Sequence, residues 1–111
     1  HQVFWLRDPR TSQILYVSPA FENVWGRPRA WLIEQPWAFV DTLHPDDRVM
    51  LLENFVRSAG GETTEMEYRI QRPDGEERWI WSHAFPVRND AGEVARVVAI
   101  AEKHLPTIER Q

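Results

Sequence analysis

The sequence predicts a single α+β domain, an antiparallel sheet with its helices gathered over one face. Three observations carry this. Two runs rich in β-branched and aromatic residues open the chain, three more close it, and the helical signals fall between them. Two turn signals, Pro73-Asp74-Gly75 and Asn89-Asp90-Ala91-Gly92, join the last three runs in sequence. A chain of 111 residues, 42% hydrophobic and 27% charged, has the size and composition of one soluble globular unit.

Residues 3–6 and 14–17 read as strands, joined by a polar connection too long for a two-residue turn. The period changes at Ser18-Pro19. Ser18 is a good N-cap and Pro19 fits the first helical position, so residues 20–25 are expected to be helical. Phe21, Val24 and Trp25 then share one side, and Gly26 ends the helix. Two more short helices, at 28–34 and 36–43, are each opened by a proline. The longest helix is expected to start at His44-Pro45-Asp46-Asp47-Arg48, with the two acids opposing the positive end of its dipole. Val49, Leu52, Phe55 and Val56 form its expected apolar stripe, and Gly60-Gly61 stop it.

Residues 63–71 alternate, with Met66, Tyr68 and Ile70 against Glu67, Arg69 and Gln71, as a half-buried strand does. Residues 79–87 divide into a bulky set, Trp79, Trp81, His83, Phe85 and Val87, and a smaller set, Ile80, Ser82, Ala84 and Pro86. The last strand, 94–101, sets Val97, Ala99 and Ala101 opposite Arg96, Val98 and Ile100. The domain is therefore placed at 1–105, with the polar, proline-interrupted residues 106–111 as a linker or frayed tail. An abrupt start in an apolar segment suggests a piece of a longer protein.

Composition excludes several function classes. A net charge of −4, with arginines scattered among acids, argues against nucleic acid as a partner. The absence of cysteine removes disulfides, thiolate chemistry and cysteine metal sites, and is compatible with a cytoplasmic location. No apolar run approaches the roughly 20 residues of a membrane span, and no signal peptide opens the chain. His1, His44, His83 and His104 are too scattered to suggest a metal site. No Ser-His-Asp spacing or Gly-rich phosphate loop suggests an enzyme. Six tryptophans imply large apolar areas to bury internally or against a partner.

The stretches Tyr16 to Gly26 (YVSPAFENVWG), Leu43 to Arg48 (LHPDDR), Glu67 to Gly75 (EYRIQRPDG) and Arg78 to Gly92 (RWIWSHAFPVRNDAG), in this order, resemble a PAS domain with PAC-type final strands. The resemblance runs from about Val3 to Glu102 and lies nearest the subgroup common in bacterial sensor histidine kinases and cyclic-di-GMP enzymes. It implies a five-stranded antiparallel sheet in the order 2-1-5-4-3, several short helices and one longer helix on one face, and a role in sensing and signal relay rather than catalysis. It also implies an effector domain in the same polypeptide. The chain departs from the family where the last strand often ends in Asp-Ile-Thr: here Glu102-Lys103-His104-Leu105-Pro106 stands instead, and Pro106 would obstruct a continuing helix.

Cofactors follow from the same comparison. Light-sensing relatives use a cysteine on the flavin and amides on two strands; this chain has no cysteine, and the matching positions are Ile70 and Ile80, which disfavours a LOV-type flavin. Haem-binding relatives usually place a histidine on the long helix, and residues 46–58 contain none, which disfavours haem. The remaining candidate is a small, mostly apolar ligand. Its cavity would have Tyr68, Ile70, Ile80, Ser82, Ala84, Ala99 and Ala101 as a floor. Leu52, Phe55 and Val56, with Leu32 and Phe39, would come from the helices. An ordinary filled core is the alternative.

Period alone would turn the bulky set of the fourth strand inward. The resemblance turns it outward, and turns at both ends pin the register, since a one-residue slip inverts every side chain. Trp79, Trp81, His83, Phe85, Val98 and Ile100 then form an outer interface, for a homodimer or a flanking helix upstream of His1.

Overall fold

The structure, a computed structural model, describes residues 2–104. The five strands are β1 (Gln2–Arg7), β2 (Ile14–Val17), β3 (Thr64–Gln71), β4 (Glu77–Arg88) and β5 (Val94–Lys103). They form one antiparallel sheet in the expected order, β2-β1-β5-β4-β3. Between β2 and β3 lie the helices α1 (Ala20–Trp25), α2 (Arg29–Glu34) and α3 (Arg48–Ala59). The segments expected as a third short helix and as the start of the long one are 3-10 helices, Ala38–Thr42 and Pro45–Asp47. The tail at 106–111 lies outside the described residues.

The two turn signals act as their residue types dictate. The Asp74 carboxylate accepts the Glu76 amide, and Gly75 has φ +89°. The Asn89 side chain accepts the amides of Ala91 and Glu93, and Gly92 has φ +82°. These hairpins set Tyr68 opposite Ile80, Met66 opposite Ser82, and Ala84 opposite Ala99. The pairing sends the small set of β4 toward the helices and the tryptophans to the other side.

The core lies between that inner face and the helices. Val3, Trp5, Val17, Tyr68, Ile70, Ile80 and Ala101 from the sheet meet Phe21, Trp25, Leu32, Phe39, Leu43 and Leu51. Trp25 is fully buried, stacked on Phe21 and edge-on to Trp5.

Two local expectations are corrected and a third is extended. Ser18 does not cap α1 with its side chain; its hydroxyl accepts the Phe4 amide at 2.9 Å and so ties the helix entry to β1. Of the apolar stripe expected on α3, Phe55 packs against the core but the rest is turned away. Val49, Leu52 and Val56 are 65%, 41% and 75% exposed, while Leu51, Asn54 and Ser58 are buried. Both phases satisfy the i, i+3, i+7 spacing, and the sheet accepts the one with smaller residues. The buried Ser58 hydroxyl is satisfied by the Phe55 carbonyl at 3.2 Å. Asp47 does more than oppose a helix dipole. Its carboxylate accepts the Arg69 amide at 2.8 Å and both arms of the Arg69 guanidinium at 3.0 and 2.8 Å. The N-cap of α3 is thereby clamped to β3, which restricts the rotation of the helix.

The end of α1 is held by the β3–β4 hairpin. Gly26 has φ +72°, and Arg78 donates to the carbonyls of Asn23 and Val24 at 2.9 and 3.1 Å. A Cβ on Gly26 would lie 2.9 Å from the Arg72 guanidinium, whereas one on Gly75 would meet nothing within 4 Å. Gly75→Ala is therefore expected to cost about 1 kcal/mol from its left-handed backbone alone. Gly26→Ala should cost about 2 kcal/mol, because Arg72 must also move. Urea midpoints compare the two; equal losses would show that Arg72 does not press on the helix end.

Candidate functional site

A cleft opens between α3 and the inner face of the sheet. Tyr68, Ser82, Ala84, Ala99 and Phe55 line it, as expected from the small face of β4. Ile70, Ile80 and Ala101 are buried in the core but do not reach it. The same is true of Leu32 and Phe39, which pack among the core aromatics. Leu52 and Val56 are corrected: they point away from the sheet because α3 has the opposite phase. The cleft holds about 30 Å³ of free space, room for about one water, and about 440 Å³ when its open mouth is counted.

Sequence reasoning missed the polar part of this cleft. Arg7 lines it from β1, only 7% exposed, with its guanidinium 4.1 Å from the centre of the Phe55 ring. Among the described residues its side chain has no ion pair and no hydrogen bond. Burial lowers its pKa, against the charged form. A desolvated cation over a ring gains about 2 kcal/mol, while burying an ion costs several. The site carries an incompletely compensated cation. The only sequence signal was Arg7 ending a strand whose alternate residues, Val3 and Trp5, are apolar.

Tyr68 is the second polar group. It is fully buried, and its hydroxyl has no hydrogen-bond partner. Burial pushes the phenol well above its ordinary pKa; Ser82 is close enough to oppose that rise, but is not aligned as a hydrogen-bond partner. The Thr64 hydroxyl and the Asn54 side chain complete the polar lining, with the Asn54 carbonyl oxygen accepting from Arg57 at 3.3 Å. Glu65 stands at the rim, its carboxylate 3.5 Å from His83 Nδ1.

The outer face of the sheet forms a second surface. One paired row runs Tyr16, Leu6, Val98 and Phe85; the next runs Phe4, Ile100 and His83. Phe4 and Tyr16 are 39% and 46% exposed and pair as rings at 6.3 Å. Trp81, Phe85 and Ile100 are half-buried. Val98 departs from its expected exposure: it is 7% exposed, enclosed by Leu6 and Phe85 on the neighbouring strands. Trp79 lies under the Arg69 guanidinium at 5.2 Å, at the edge of the patch. The Trp81 indole N–H donates to His83 Nε2 at 2.6 Å, and the Trp81 ring meets His104 edge-on. His104 Nε2 in turn lies 3.2 Å from Glu67.

Ile70 and Ile80, where flavin-binding relatives place amides, are buried and apolar. His44 Nδ1 accepts the Asp46 amide at 3.1 Å. Among the described residues no cluster of three or more His, Cys, Asp or Glu could hold a metal ion, and no helix is long and apolar enough to cross a membrane.

A sequence profile described as the PAS fold matches residues 14–101, well over half of the chain. This chain belongs to the PAS family. PAS is a sensing fold rather than a catalytic one. One similar structure is a domain from Haloarcula marismortui, named as a proposed light and redox sensing histidine kinase. It is 31% identical with a TM-score of 0.84, over 95% of this chain and 90% of that one. Another is the N-terminal domain of a diguanylate cyclase with PAS/PAC sensor from Marinobacter aquaeolei. It is 25% identical with a TM-score of 0.83, over the whole of both chains. The LOV domain of a blue-light activated histidine kinase from Erythrobacter litoralis shares the fold at 19% identity, with a TM-score of 0.74 over 94% of this chain and 96% of that one. The PAS domain is also 30% identical over 96 residues to the uncharacterized protein y4lL of Sinorhizobium fredii; it covers 86% of this chain but spans only 11% of that protein.

Proposed function

We propose that this PAS domain is the input module of a larger bacterial signalling protein, and that it relays the state of its cleft to an effector domain and dimerises through the outer face of its sheet. A histidine kinase or diguanylate cyclase is the effector that the similar structures suggest. The observation that carries the reading is the apolar outer face, where Phe4, Tyr16, Phe85, Ile100 and Trp81 lie on four adjacent strands. A contiguous patch of this kind marks an association surface. The sheet separates it from the cleft by one layer of backbone. A change in the cleft that alters sheet twist therefore reaches the interface directly.

Trp81→Glu tests the association. The side chain is half-buried and faces outward, so the fold should survive, while a carboxylate beside Glu67 and Glu102 would face its counterpart across a two-fold axis. Sedimentation of the unmodified domain should show a dimer whose dissociation constant rises at least tenfold in the variant, a loss of about 1.4 kcal/mol or more. A monomer at every concentration for both proteins would sink the dimer.

One observation favours a second reading. The free space in the cleft is only about 30 Å³, which suits a structural interaction module with a filled core and no ligand. Native mass spectrometry separates the two: a retained small molecule supports sensing, and an empty protein unaffected by metabolites supports the structural role.

A further inference from the structure

We infer that the cleft is a binding site for a small carboxylate with an apolar body, whose carboxylate is held by Arg7. The inference supplies the ligand class for the sensory role proposed above and rests on that role for its signalling consequence only; the binding itself follows from the cleft.

Three observations support it. Arg7 is a buried cation that faces the cleft with a ring beneath it and no anion beside it among the described residues. An anion arriving there would pair with a guanidinium already stripped of most of its water, a pairing that favours Arg for bidentate carboxylate geometry. Of the other polar side chains of the cleft, Tyr68, Ser82, Thr64 and Asn54 all have a donor to offer, and Glu65 is the one acid. The Glu65 carboxylate lies 3.5 Å from His83 Nδ1 and makes no ion pair with Arg7 among the described residues. Finally, the surface between the polar groups is apolar and low. Ala84 and Ala99 are paired across β4 and β5, with Met66 and Val97 beside them and Leu51 above.

The register places the polar groups at opposite ends. Arg7 pairs with Val97 on β5, whereas Tyr68 pairs with Ile80, itself opposite Lys103. Arg7 and Tyr68 thus lie at two ends of the alanine floor, across four adjacent strands. A ligand with its carboxylate at Arg7 extends its apolar body over the alanines, toward the unpaired Tyr68 hydroxyl. A short alkyl carboxylate is larger than the free space, so Phe55 must give way and α3 must move outward from the sheet. The outer side of α3 opposes such movement little, since Val49, Leu52 and Val56 there are exposed. Occupancy therefore changes the position of α3, and the charge of Arg7 selects what can occupy.

Hexanoate, hexan-1-ol and hexylamine are the probes, titrated into the purified domain by calorimetry with a thermal-denaturation series alongside. Hexanoate should bind saturably and raise the melting temperature; hexanol should bind at least tenfold more weakly, and hexylamine not at all. Arg7→Gln should abolish the preference for hexanoate over hexanol. Ala84→Leu, which fills the floor and leaves Arg7 in place, should block hexanoate and keeps the test alive if Arg7→Gln does not fold. Equal binding of hexanoate and hexanol overturns the proposal, as does hexanoate binding unchanged by Ala84→Leu, or the absence of binding across the straight-chain acids from propanoate to octanoate. Dimerisation measured with Trp81→Glu is independent of these outcomes. Failure of the carboxylate site thus leaves the association reading intact, and loss of the dimer leaves the site intact.

Discussion

Replacing Trp25 with alanine should lower the unfolding free energy by about 3–5 kcal/mol, the largest loss expected from a single substitution in this domain. The side chain is fully buried at the junction of three elements. It stacks on Phe21 of its own helix, with ring centres 5.2 Å apart, and meets Trp5 of β1 edge-on at 5.5 Å. Its indole N–H donates to the Thr42 hydroxyl at 3.3 Å, and that hydroxyl donates to the Phe39 carbonyl at 2.6 Å. Removing the ring therefore opens a cavity against the sheet and leaves Thr42 without its donor in a buried site. Trp25→Phe keeps most of the apolar contact and loses the hydrogen bond, so it should cost about 1–2 kcal/mol. Urea unfolding at a common slope measures both. A loss for alanine no greater than for phenylalanine would mean that the site collapses and that packing around Trp25 is not the keystone of the helical layer.

Asp47→Asn is expected to cost about 2 kcal/mol at neutral pH, less than the 3–5 of a fully buried broken pair, because both partners keep some solvent contact. Burial pushes the Asp47 carboxyl up, but the hydrogen bonds from the Arg69 side chain and backbone outweigh it and hold the pKa below its usual value. The folded value is thus depressed relative to the unfolded one near 4. Stability from the pair is present in full above that value and is lost as pH falls through the folded pKa. The gap in unfolding free energy between Asp47→Asn and the unmodified domain should therefore shrink steadily below about pH 4. A gap that is the same at neutral and acid pH would show that the carboxylate charge contributes nothing and that only hydrogen-bond geometry matters. Because the clamp restricts the rotation of α3, the variant should also loosen the cleft. Hydrogen exchange along α3 should quicken more than along β5.

Much of the fold was legible because its signals are local. The Asp74 and Asn89 side chains close their own turns, the left-handed φ of Gly26, Gly75 and Gly92 is a property of one residue, and a strand period of two needs no distant partner. From those turns the register follows, but the outward course of Trp79 and Trp81 came from the resemblance to the PAS family, since burial energy alone would turn them inward. Half the cleft was legible through the same resemblance: Tyr68, Ser82, Ala84 and Ala99 alternate along strands whose inner face it assigned.

The phase of α3 was not. Val49, Leu52 and Val56 make the more apolar stripe, and burial energy taken alone would turn them inward. The tertiary structure buries Leu51, Asn54 and Ser58 instead. The Asp47–Arg69 clamp restricts the helix rotation, and small residues let the helix approach the sheet. Arg7 was unreadable on the same grounds, since its burial depends on Phe55 from a helix far along the chain.

By itself, then, the sequence determined the order of elements, their turns and the two side-chain sets of each strand, because backbone torsions and side-chain alternation are decided within a few residues. Only the tertiary structure decided which side of α3 meets the sheet and that an incompletely compensated cation stands in the cleft. Both depend on contacts between distant residues whose energies no local pattern contains.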